Sequence, residues 1–143
     1  MPVHNKIPLL ALPVLLAAAS CAWAAPDFHP GLWETTIKMH MQGAPIAIAP
    51  VTTRQCITPK KMVPNTSQPG QNCTIKNQNI SGNSVSWNVE CAGSHGTLQG
   101  RGQVTYAGNS YHGTMDMRMT NAAGGPPMTM SYTIDGRRIG ECR

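Results

Sequence analysis

Residues 97–106 read TLQGRGQVTY and residues 111–120 read YHGTMDMRMT, two ten-residue runs on either side of a Gly108-Asn109 step. In the first run Leu98, Gly100, Gly102, Val104 and Tyr106 recur at every second position, and in the second Tyr111, Gly113, Met115, Met117 and Met119 do the same. A period of two alternates side chains between the faces of a strand, whereas a helix would need apolar residues three or four apart. Gly-Asn between two such runs suits the tight hairpin turn, whose backbone takes positive φ. The stretch predicts a β-hairpin with one apolar face and points to an all-β chain.

The same alternation extends in both directions. From Gly31 to Met41 one face collects Trp33, Ile37, Met39 and Met41 and the other Glu34, Thr36, Lys38 and His40. Residues 46–57 are extended but interrupted by Pro50, which fits an edge strand or a bulge. The polar, proline-bearing stretch 58–72 reads as a long loop, with a single helical turn expected over Pro59 to Met62. Strands follow over 73–81 and 84–91, joined by Gly82-Asn83; Val85, Trp87, Val89 and Cys91 share a face of the second. Beyond a loose Gly- and Pro-rich link, Met128, Met130, Tyr132 and Ile134 line one face of the last strand. About seven strands with short turns predict one small antiparallel meander, forming a barrel or a sandwich.

The first residues belong to something else. His4 and Lys6 precede an apolar run from Ile7 to Ala19, and Ala22-Trp23-Ala24 has the small-x-small pattern of a cleavage site. The run is shorter than the roughly 18 apolar residues a span requires, and Pro8 and Pro13 interrupt it. Residues 1–24 are therefore expected to be a cleaved signal peptide and residues 25–143 a single β domain in the periplasm, with no transmembrane span after processing. A lipoprotein anchored at Cys21 is the alternative, although Ala18 stands where such sites favour Leu.

Either way four cysteines remain, Cys56, Cys73, Cys91 and Cys142. In an exported chain an even number predicts disulfides, and four cysteines allow three pairings. Sequence position favours Cys56 with Cys73, closing the loop, and Cys91 with Cys142, tying down the last residues. There is neither a CxxC knuckle nor a CxxCH haem motif.

Eight methionines lie beyond the leader, and seven of them form Met39-x-Met41, Met115-x-Met117-x-Met119 and Met128-x-Met130. If the meander curls, the last strand neighbours the first and these strands form one thioether-rich wall. Such a wall can fill a core short of aromatics. It can instead line a pocket for an apolar small molecule or envelope component, with Trp33 and Trp87 beside it and Gly100, Gly102 and Gly113 leaving room. Cu(I) bound by Met115, Met117 and Met119 is a further alternative, because soft thioethers favour that ion. A structural or partner-binding module without a small ligand is another.

Catalytic signals are missing. The six acids of residues 25–143 form no recognisable acid/base pair, and GxSxG, HExxH and P-loop motifs do not occur. The ten Lys and Arg of that region leave a net charge of +4, but they are scattered and not interleaved with aromatics, which argues against nucleic acid. Arg137-Arg138 reads as a solvated edge or a partner for Glu141. No enzyme activity and no cofactor are expected.

Four stretches come together at this point: Gly31-Leu32-Trp33-Glu34; Gln55-Cys56-Ile57-Thr58-Pro59; Ser81-Gly82-Asn83 leading to Trp87 and Cys91; and the ending Gly136-Arg137-Arg138-Ile139-Gly140-Glu141-Cys142. The chain resembles the exported bacterial proteins of domain-of-unknown-function family 3617. The resemblance implies a periplasmic protein and carries no activity with it. The expectation from the residues is a disulfide-stapled β domain whose methionine-lined sheet binds an apolar molecule.

Overall fold

A computed structural model describes residues 25–41, 48–65, 67 and 70–143. The expected signal peptide, Cys21 and residues 46–47 of the second extended run lie outside the described residues. Seven strands follow in chain order: β1 Gly31–Met41, β2 Val51–Ile57, β3 Asn72–Ser81, β4 Ser84–Gly93, β5 Gly96–Ala107, β6 Ser110–Asn121 and β7 Met128–Gly140. They form one antiparallel sheet in the order β2-β1-β7-β6-β5-β4-β3. The sheet curls into a half-barrel, open between its edge strands β2 and β3.

The strand pattern is the one the alternation predicts. Gly82-Asn83 and Gly108-Asn109 form the β3–β4 and β5–β6 turns, with Gly82 at φ 56° and Gly108 at φ 62°. Pro50 sits just before β2, an edge strand that needs no ladder partner on its outer side. One local expectation fails: Thr58 and Lys61 exchange backbone hydrogen bonds (2.9 and 3.3 Å) across Pro59-Lys60, so this is a reverse turn and not a helical one. The chain must double back here to cross the mouth of the half-barrel.

The cysteine pairing is also corrected. The bonds are Cys73–Cys91 and Cys56–Cys142, not Cys56–Cys73 and Cys91–Cys142. Cys73 stands directly opposite Cys91 on the neighbouring strand, a position reached through a bulge in β3 where the register shifts between Lys76 and Asn79. Asn77 lies within that bulge at φ 51°. Cys56 flanks Leu32 on one side of β1 and Gly140 flanks it on the other, so the chain end reaches Cys56 within two residues.

The concave face buries the core. At the end formed by the Gly82 and Gly108 turns, Trp33, Tyr106 and Tyr111 pack with Phe28, ring centroids 5.2–5.8 Å apart. Such pairs each add about 0.5–1.5 kcal/mol beyond area burial. Buried Thr35 shares a 2.5 Å hydrogen bond with the Tyr111 hydroxyl. The N-terminal segment closes this end through Gly108 N–H to Asp27 (2.8 Å) and His29 N–H to Gly108 (3.1 Å). From the other side Met62 and Pro64, in the β2–β3 connection, plug into the same core. The half-barrel is therefore sealed at its aromatic end.

Candidate functional site

Cross-strand register arranges the inward side chains in rows running across the sheet. One row is Ile37, Ile134, Gly113, Val104 and Val85; the next is Met39, Tyr132, Met115, Gly102 and Trp87. Met41, Met130, Met117, Gly100 and Val89 follow, and then Met128, Met119, Leu98, Cys91 and Cys73. Strand β7 does lie beside β1, so the three methionine-bearing strands are adjacent and the thioethers form one wall. The wall occupies the half of the concave face away from the aromatic plug.

Over this wall lies a cavity of about 530 Å³. Its floor holds Ile37, Met39, Val89, Leu98, Met115, Met117 and Tyr132; its sides come from Val51 and Thr53 of β2 and from Ile48, Ala49, Asn65, Ser67 and Gln71 of the flanking connections. Among the described residues no Asp, Glu, Lys, Arg or His lines it. The volume falls within the roughly 300–1,000 Å³ of small-molecule sites, and an apolar lining with a few neutral polar groups is their usual chemistry.

The expected site residues separate into groups. Met39, Met115 and Met117 line the cavity. Met130 is buried in the row beside Met117, and its sulfur lies 3.6 Å from the Tyr132 hydroxyl, which donates to it. Met41 is half-buried opposite Met130. Met119 lines a smaller adjoining cavity with Leu98 and His95, and Met128 is 45% exposed at the rim. Trp33 and Trp87 do not line the main cavity and are buried in the core. Met115, Met117 and Met119 fall in three successive rows, each opposite a different residue of β7.

The inward glycines do not leave the expected empty space. A Cβ at Gly102 would strike the Trp87 indole, one at Gly100 the Met117 side chain, and one at Gly113 would meet Val104. The glycines let large neighbours lie down across the sheet, and the cavity forms above those neighbours. The connection flanking the cavity is the part that alternation could not reveal. Gln55 holds it, donating to the Val63 carbonyl (3.3 Å) and accepting from the Asn65 N–H. The Tyr106 hydroxyl donates to the Met62 carbonyl at 2.5 Å.

Electrostatics divide the two faces of the sheet. On the convex face Glu34 lies between its register partners Arg54 (3.0 Å) and Arg137 (2.6 Å), and hydrogen bonds from Arg137 and then Arg54 hold its carboxyl below the usual range. Arg138 pairs with Glu141, as its position near the chain end suggests. On the concave face burial dominates: it pushes the Tyr106 phenol far above its ordinary value, raises Tyr132, and lifts Tyr111 to about 12 against the lowering hydrogen bond from Thr35. Among the described residues no three of His, Cys, Asp and Glu come together as a metal-ligand set. The cavity lining offers apolar surface and neutral hydrogen-bonding groups, the means of noncovalent binding.

These features define a class: a disulfide-stapled β half-barrel with a polar outer face and a methionine-walled hollow. The profile of the family described as protein of unknown function (DUF3617) matches residues 28–142, and the chain belongs to that family. No curated protein and no solved structure matches it.

Proposed function

We propose that this is an exported binding protein that takes an apolar small molecule or envelope component noncovalently into the methionine-walled cavity. The observation that carries the reading is the cavity of about 530 Å³ with no charged side chain among the described residues of its lining. Methionine suits such a wall, because its unbranched thioether adapts to ligands of differing shape. Burying apolar ligand surface there supplies about 25 cal/mol per Å² before the cost of association. Periplasmic localisation belongs to the same proposal, supported by the leader pattern of residues 1–24 and by two disulfides. In this reading the protein binds and does not catalyse.

Native mass spectrometry of protein isolated from the periplasm tests it, with an adduct that organic solvent extracts as the expected result. Recovery in the cytoplasmic fraction would refute the localisation. A bare mass, together with failure to bind a fluorescent apolar probe after delipidation, would refute the cavity reading.

A further inference from the structure

The methionine cavity opens beside a second cleft of about 530 Å³, and the two share Val89, Asn65 and Ser67 as walls. The second cleft differs in charge, because Lys60 and Lys61 line it and, among the described residues, no carboxylate does. Among the described residues Arg54, Lys76, Arg137 and Arg138 each have a carboxylate partner; Lys60 and Lys61, like Lys38, Arg101, Arg118 and Arg143, form no ion pair, and of these only the two lysines line the cleft. Both lysines are exposed. Their backbone is nevertheless fixed, since they belong to the reverse turn closed between Thr58 and Lys61. The cleft is also bounded by Cys56 and Cys73, one from each disulfide, which tie its two sides to the rest of the sheet.

From this juxtaposition we propose that the ligand is a single-chain amphiphile with an anionic head, its chain over the methionine wall and its head beside Lys60 and Lys61. The inference rests on the binding reading above and adds the charge and the orientation of the ligand. An uncharged cavity gives no reason to prefer one head group over another. Two ammonium groups in the adjoining cleft, beyond the shared wall, favour a carboxylate or phosphate head and oppose a cationic one.

The test uses the full processed chain, delipidated, with titration below the micelle concentration of each ionic probe and below the solubility limit of the alcohol. Hexadecanoate and a lysophosphatidylglycerol are compared with hexadecanol and hexadecyltrimethylammonium. The anionic probes should bind about fivefold or more tightly than the alcohol at low salt, as expected for two solvent-exposed charges. The advantage should shrink in high salt and vanish in the Lys60→Gln/Lys61→Gln double variant, which should bind hexadecanol as the parent does. Met39→Gln, on the cavity floor, should weaken every probe. A carboxylate and a phosphate head that differ in affinity identify which source the lysines favour. Equal binding of alcohol and anions, or an anion preference unaffected by the lysine changes, overturns the head-group inference alone. Binding of none of the probes overturns both that inference and the cavity reading.

Discussion

The Tyr106 hydroxyl reaches out of β5 to the main-chain carbonyl of Met62, 44 residues earlier in the chain, and this buried 2.5 Å bond ties the crossing connection to the floor of the half-barrel. Tyr106→Phe keeps the ring packing and leaves that carbonyl unsatisfied, at a cost of about 1–3 kcal/mol. Urea unfolding should show the loss. Limited proteolysis should show earlier cleavage near residues 59–65, and an unchanged cleavage pattern would contradict the tethering role.

Burial of tyrosine sets the alkaline limit of stability. The folded Tyr111 phenol titrates at about 12 against an ordinary 10, so the unfolded chain releases its proton first as pH rises. The contribution is intact below pH 10 and is lost through the window from about 10 to 12, at roughly 1.4 kcal/mol per pH unit. Denaturation midpoints measured across that window should fall more steeply for the parent than for Tyr111→Phe.

The Trp87 indole occupies the space where a side chain at Gly102 would project. Gly102→Ala should therefore destabilise by about 1–3 kcal/mol through overpacking, despite the entropy gain usual for Gly→Ala. Tryptophan near-UV dichroism should change as well. Gln103→Ala, on the exposed convex face, should stay within about 0.5 kcal/mol of the parent.

Asn77, at φ 51°, carries the bulge that sets Cys73 against Cys91. Asn77→Val should cost about 1–2 kcal/mol, because a β-branched residue opposes that conformation, while Asn77→Gly should be tolerated. Deleting Asn77 removes the extra residue without moving Cys73 away from Cys91. Peptide mapping of that variant should still find Cys73 joined to Cys91 and Cys56 joined to Cys142.

Alternation from Trp33 to Met41 and from Tyr111 to Met119 made the strands, their inward faces and the methionine wall readable, because a period of two depends only on local backbone geometry. The cysteine pairing depends on something less local. Continued without a bulge, the register Ser81↔Ser84 would have set Cys73 opposite Ala92, and one unusual backbone angle at Asn77 separates that outcome from the observed one. The meeting of Cys56 and Cys142 follows only once β1 is known to lie between β2 and β7. Asn65, Ser67 and Gln71 were hidden for a related reason: they reach the cavity from an irregular connection that has no period to read.

The placement of β1 between β2 and β7 also fixes an order of assembly. Strands β3 to β7 can zip up hairpin by hairpin, each on the one before it, but β1 has to wait for the last strand of the chain. Glu34 and Arg137, which meet across that seam, are 103 residues apart. Such distant pairing is slow, because a long loop must close before any contact rewards it. A chain emerging from a pore with its N-terminus first would thus hold its leading β1–β2 pair apart from the rest of the sheet, with one edge of β1 open until β7 had arrived. Cys142, just beyond β7, then bonds to Cys56. That cross-link can form only after residue 142 has been made, so it marks molecules in which β7 is present to close the sheet on β1.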